Sequence, residues 1–142
     1  MSPRLPFFVY GTLRPGEPNH DAFLRGRTLT EEPARLAGAV LYEGPGYPYA
    51  VEDASGTGTV YGDLITARPE QYTGLLTALD HLEEYAPADP RNLYERITRK
   101  ALRDSDGTAV QAWVYVAAPS VAARLRARGR LIGSGDWARR AG

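Results

Sequence analysis

The sequence predicts an α+β fold: a small mixed or antiparallel sheet, curved into a barrel-like form and flanked by helices. Three observations carry this. Five or six short runs rich in aromatic and β-branched residues read as strands, and two or three segments carry helical spacing. The two kinds do not alternate in the regular βα order of a doubly wound parallel sheet. The 142 residues fit one domain over 1–142, long enough to bury a sizeable core.

The first strand is "PFFVYG", aromatic and β-branched between Pro6 and Gly11. "NHDAFLRG" reads as two turns of helix with Asn19 as its cap and Gly26 as its stop. "RLAGAVLYEG" reads as one strand, "GPGYPYA" as a turn-rich connection and "DASGTG" as a turn. In "TVYGDLI", Gly62 marks a bulge or a close backbone approach within a strand. The clearest helix lies in "TARPEQYTGLLTALDHLEEY", where Pro69, Glu70 and Gln71 suit a first turn. Its apolar stripe is Tyr72, Leu75, Leu76, Leu79 and Leu82, and Pro87 and Pro90 stop a simple continuation. "LYERITRKAL" and "VQAWVYVA" read as a hairpin turned at "DSDG". "PSVAARLRARGRLI" reads as a short basic helix or an irregular tail.

Composition excludes several classes of function. Seventeen basic residues balance seventeen acidic ones, which offers no general attraction to nucleic acid or to an acidic membrane. There is no cysteine, hence no disulfide framework, thiolate metal ligand or cysteine nucleophile. His20 and His81 read as surface residues, and no compact motif asks for a metal. "MSPRLPFFVYG" lacks the apolar run of a secretory signal, and no stretch reaches the length of a transmembrane helix, so a cytoplasmic location is expected. Composition does not locate an oligomer interface.

One carboxylate falls in an unexpected place. With Tyr72 at zero and an advance of about 100° per residue, Leu76 falls near 40°, Leu79 near 340° and Glu83 near 20°. Glu83 thus projects on the core side, while Glu84 and His81 turn away and Asp80 lies on the edge of the stripe. An inward carboxylate carries a desolvation penalty unless it is paired or protonated, which makes it a candidate general acid or base. The alternative is that the helix ends before Glu83, which then faces solvent. Ser55, Ser105, Ser120 and Ser134 lie in no nucleophile-elbow motif.

"VYGTLRPGEPNH" packs turn chemistry directly after a strand. The backbone N–H groups of Gly11, Thr12 and Leu13 can present themselves to a carboxylate, or the segment is only a tight turn. It is neither a P-loop nor a dinucleotide fingerprint. Arg14 reads as solvent-facing, or as a partner for an anion or for Glu83. Tyr94 and Arg96 share one strand face, lining a pocket or a half-exposed sheet, and Tyr115 is a core aromatic or a pocket wall. The basic run Arg124, Arg126, Arg128 and Arg130 reads as a charged surface, with too few aromatics for a nucleic-acid groove.

Taken in order, these segments resemble the gamma-glutamylcyclotransferase-like, or AIG2-like, family. "FVYGTLRPGEPNH" resembles its "vYGTLrxGxxNh" opening, "LDHLEEY" its "LDxxEg" segment, and "LYERITRKAL" its "YxRxxv" strand. "GPGYPYAV", "AWVYV" and "IGSGDW" are similar to further family segments, so the resemblance spans residues 8 to 137. It implies a small barrel-like fold with a cavity at one end and a gamma-glutamyl small molecule as partner. It also implies substrate binding by Tyr10, Gly11, Thr12 and Leu13, with Tyr94 and Tyr115 as pocket candidates and Glu83 as the acid/base. The implied reaction is attack of the substrate's own α-amine on its side-chain carbonyl. This gives 5-oxoproline and a free amine and needs neither metal nor redox cofactor. A non-catalytic binding module of the same fold, or an amidase using water, are the other readings. The chain departs from the pattern at Glu84, where the family commonly has glycine, and "APADPRN" stands as an insertion at the pocket rim.

Overall fold

The computed structural model describes residues 4–139. The strands Phe7–Val9 (β1), Thr28–Ala37 (β2), Ala39–Glu43 (β3), Pro48–Glu52 (β4), Thr59–Ala67 (β5), Tyr94–Arg103 (β6), Ala109–Ala117 (β7) and Leu131–Ile132 (β8) form two sheets. Five of them close a barrel in the order β1-β5-β2-β6-β7, and β4-β3-β8 make a small sheet beside it. The barrel is mixed. β1 runs parallel to β7, meeting it at Phe7 and Trp113, while its other pairings are antiparallel.

Strand alternation sends successive side chains to opposite faces of the wall. Along β1, Phe7 and Val9 join one apolar cluster and Phe8 the other; along β5, Ile65 and Leu64 divide in the same way. The cluster around Phe8 includes Ala34, Ala101, Ala112 and Val114, small residues that let the strands curve closely. The cluster around Phe7 is covered by two helices. These are Tyr72–Leu82 (α2), entered through a 3-10 turn at Pro69–Gln71, and Pro119–Arg128 (α3). Leu75 and Leu79 of α2 are fully buried there, as are most of Val121, Ala122 and Leu125 of α3. Arg124, Arg126, Arg128 and Arg130 are exposed, so the basic run is a solvated face, with Arg126 donating to the Glu52 carbonyl at 3.0 Å.

Several expectations are corrected. "RLAGAVLYEG" is two strands, because Gly38 takes φ 79 and turns the chain from the barrel into the second sheet, a conformation that favours glycine. "GPGYPYA" is not all connection, since Pro48 begins β4, which pairs with β3 through Tyr49 and Tyr42. "RLI" supplies β8, a two-residue strand too short for any periodicity to reveal. Asn19 does not cap its helix, Pro18–Phe23 (α1): Glu17 holds the cap position without a side-chain bond. Among the described residues no helix is long and apolar enough to cross a membrane.

Gly62 does mark a close approach. A Cβ there would lie 2.2 Å from the Val9 carbonyl oxygen and 2.9 Å from the Phe8 ring. A backbone atom cannot swing aside, so Gly62→Ala must separate β5 from β1. The expected loss is about 2–3 kcal/mol, or about 8 °C in Tm, measured by thermal denaturation. An unchanged Tm would refute the contact.

Candidate active site

The site begins where β1 ends. The Tyr10 hydroxyl donates to the Tyr115 carbonyl at 2.5 Å and accepts from the Ala50 N–H at 3.3 Å, tying this end of β1 to β7 and β4. Gly11 then passes so close to Pro48 that a Cβ would lie 2.8 Å from the ring. The turn closes with the Arg14 N–H donating to the Gly11 carbonyl at 3.1 Å. Asn19 holds it from the side: its Nδ2 donates to Thr12 Oγ1 at 2.8 Å, and its N–H donates to the Thr12 carbonyl at 2.9 Å. This is the work Asn19 does in place of capping. Among the described residues, no protein group accepts from the N–H groups of Gly11, Thr12 and Leu13.

Arg14 is neither solvent-facing nor paired with Glu83. Its guanidinium bonds Asp63 of β5 at 2.9 Å and Asp136 at 2.7 Å. One residue on, the Trp137 indole donates to Glu17 at 3.0 Å. The stretch around Asp136 is therefore a strap across the back of the loop. His20 is also less free than expected, with Nε2 2.7 Å from Glu31. Among the described residues no cluster of His, Asp and Glu has metal-binding geometry.

Glu83 reaches the site from α2. The helix does end at Leu82, as the alternative reading had it, yet Glu83 keeps its aim. Its N–H donates to the Leu79 carbonyl at 3.0 Å, so the residue four positions after a buried leucine stays on that leucine's face. The side chain lines the cavity, and no described group hydrogen-bonds or pairs with it. Burial alone pushes its carboxyl up to about 7.

The termination also corrects the view of Glu84. The Tyr85 N–H donates to the Asp80 carbonyl at 2.8 Å and the Glu84 N–H to the His81 carbonyl at 3.1 Å, with Glu84 at φ 52. This is a Schellman ending, and Glu84 occupies the left-handed position where glycine is usual. The helical projection does not extend to it; it too lines the cavity.

The pocket candidates Tyr94 and Tyr115 also line this cavity, of about 410 Å³, together with Tyr10, Gly11, Thr12 and Leu13. Each phenol has one proton, and each directs it into the protein. Tyr10 donates to the Tyr115 carbonyl, Tyr94 to the Pro48 carbonyl at 2.8 Å, and Tyr115 to Asp80 Oδ1 at 2.6 Å. Burial raises all three phenols well above their usual range, and the charge of Glu83 adds to it in each. They therefore face the cavity as neutral acceptors.

Behind Tyr115, Asp80 also accepts from Arg96 Nε at 2.8 Å, and Arg96 lies over the Trp113 ring at 4.3 Å. Arg96 thus faces α2 rather than the pocket. By periodicity Asp80 lies at the edge of the stripe; its place three residues before Glu83, on nearly the same helical face, is the signal the sequence carries for it. Asn92, buried and bonded to both the N–H and the carbonyl of Ala86, carried no such signal.

The family model "Gamma-glutamyl cyclotransferase, AIG2-like" matches residues 7–139. The chain belongs to this family. Its similarity to a Niallia circulans protein named gamma-L-glutamyl-butirosin B gamma-glutamyl cyclotransferase is 39% identity over 110 residues. That match covers 77% of this chain but 64% of the relative, so the chain spans less than two thirds of that protein. A Halalkalibacterium halodurans protein is 35% identical over 114 residues, covering 80% of this chain and 90% of its own. Among solved structures, YkqA from Bacillus subtilis is 26% identical with a TM-score of 0.65, covering 94% of this chain and 39% of that one. An AIG2-like protein from Mus musculus is alike in fold, with TM-score 0.62 and 24% identity over 82% of this chain and 80% of that one. The glycine that the resemblance implies after the motif glutamate would take, without strain, the left-handed position that ends α2 here.

Two outcomes follow for stability. Glu84→Gly relieves the left-handed strain, partly offset by the unfolded-state freedom of glycine. The variant should gain about 0.5–1 kcal/mol in denaturant unfolding; a loss would contradict the strain. Glu83 acts through pH. The folded carboxyl holds its proton up to about 7 and the ordinary one only to about 4.5, so the folded state binds more protons between these values. Stability then falls as pH rises across that window. Glu83→Gln should exceed the parent by roughly 1–2 kcal/mol at pH 8 and match it at pH 4, read by calorimetry. A pH-independent difference would refute the buried carboxylate.

Proposed function

We propose that this protein is a cyclotransferase cleaving gamma-glutamyl amides to 5-oxoproline and a free amine, with Glu83 as the acid/base. The observation that carries this is the pairing, in one cavity, of an unpartnered carboxyl near neutrality with the unbonded amides of Gly11, Thr12 and Leu13. The Niallia circulans relative is named for removing a gamma-glutamyl group, which supports the same head group here.

The amides of the loop suit the substrate's α-carboxylate, and Thr12, oriented by Asn19, stands among them. The phenol oxygens of Tyr94 and Tyr115, with their protons directed inward, accept from the α-ammonium. Glu83 as carboxylate takes a proton from that ammonium, and the freed amine attacks the γ-carbonyl carbon. A C–N bond forms, closing a five-membered ring, and the bond to the departing nitrogen breaks. In net terms the α-nitrogen loses two protons and the leaving amine gains two; Glu83 takes on and gives up each, ending unchanged. Because nucleophile and carbonyl belong to one molecule, holding the head group folded supplies much of the acceleration. Closure of the lactam needs no water, which suits a site walled by Phe8, Leu13, Pro48 and four tyrosines.

The test is mass-spectrometric detection of 5-oxoproline from a panel of gamma-glutamyl amides. The parent should form the lactam, and folded Glu83→Gln should lose about 10³-fold in rate. The carboxylate form is the one that accepts a proton, so kcat/KM should climb with pH and level off above about 7, the Glu83 value. Glutamate in place of lactam would indicate an amidase, and ligand binding without turnover a binding module. A rate untouched by Glu83→Gln would remove this residue from the chemistry.

A further inference from the structure

We infer that Glu84 selects the leaving group, making this a site for amides whose departing amine carries a second positive charge. The inference rests on the cyclotransferase reading above and concerns the other half of the substrate.

The lining divides by exposure. Tyr10, Gly11, Leu13, Pro48, Tyr94 and Tyr115 are buried and form the floor; Pro18, Gly46, Glu84 and Leu93 are exposed and form the mouth. The groups suited to the glutamyl head belong to the floor and to Glu83. The amide substituent therefore runs outward past the mouth. No Lys, Arg or His stands among the described lining residues, and the charged ones are Glu83 and Glu84. Arg14, which follows the loop, is engaged by Asp63 and Asp136 behind it. A leaving group bearing a carboxylate finds no counter-charge at this mouth and meets a like charge; one bearing an ammonium meets Glu84. The C-terminal end of α2 reinforces this, because its carbonyl end favours cations and lies at the same place.

The backbone gives an independent reason to look at Glu84. It keeps φ 52, where glycine would sit unstrained, and none of the described groups pairs with its side chain. A residue held in a disfavoured conformation at the rim of a cavity, with no structural bond to show for it, points to a role towards ligand.

The experiment uses three gamma-glutamyl amides of nearly equal length, made from 1,4-diaminobutane, pentylamine and 4-aminobutyrate. Their free ends are positive, neutral and negative. For the parent, kcat/KM for 5-oxoproline release should fall in that order, by about tenfold from first to last at low salt, with the spread shrinking in high salt. In Glu84→Gln, which keeps the length and the left-handed strain, the spread should collapse to about twofold. In Glu84→Lys the order should reverse. Lactam from all three amides with no charge preference, or with one that Glu84→Gln leaves intact, would overturn the inference and leave the cyclotransferase reading standing. No lactam from any of them would overturn both.

Discussion

The site depends on two leucines that do not line its cavity. Leu75 and Leu79 are fully buried against the Phe7 and Ile65 face of the barrel wall, and they fix both the position of α2 and its rotation about its own axis. A helix so fixed has no freedom over where its next inward residue goes. Glu83 follows Leu79 by four positions, the spacing that brings side chains onto one face, and arrives at the open end of β1. The apolar packing that stabilises the domain is thus also what forces a carboxyl out of water. The raised affinity of Glu83 for its proton is the residue of that conflict, and chemistry at neutral pH can use it.

The walls of the cavity solve a second problem: how to be polar without being ambiguous. A phenol facing a ligand can donate or accept, and a pocket lined by several would bind many things poorly. Here the protons of Tyr10, Tyr94 and Tyr115 are committed to the Tyr115 and Pro48 carbonyls and to Asp80. Arg96, held over Trp113, keeps Asp80 in place to receive its share. The result is a division of labour across the cavity, with acceptors on the tyrosine side and donors on the loop side. Under the proposed reading, a head group negative at one end and positive at the other would meet such a surface with its negative end to the loop.

Most of the architecture was legible because it is written in local patterns. The aromatic run of β1, the β6–β7 hairpin, the leucine stripe of α2 and the close approach at Gly62 each announce themselves within a few residues. The closed, mixed barrel was legible as a class, though its parallel β1–β7 contact was not. What could not be read depends on partners distant in sequence. Arg14 looks like any surface arginine until Asp63 and Asp136 are placed around it, and β8 is two residues with no pattern of their own. Asn19 has the look of a helix cap, and only the return of the chain past Thr12 shows what holds it. Glu83 illustrates the middle case: periodicity pointed it inward correctly even though the helix stopped one residue short of it, because the terminal hydrogen bond carries helical geometry that far.

The strap around Asp136 has a consequence for the order in which the protein is assembled. Arg14 and Asp136 are 122 positions apart, and Glu17 and Trp137 are 120 apart. During synthesis the loop of residues 11–13 emerges well before Asp136 and Trp137, and it cannot be fastened to them until they follow. The barrel strands that lie between the partners of these contacts, β2, β5, β6 and β7, all emerge before Asp136 and Trp137 do. The loop is therefore made before the barrel strands that follow it and fastened after them, so that every strand of the barrel is present before the strap can close.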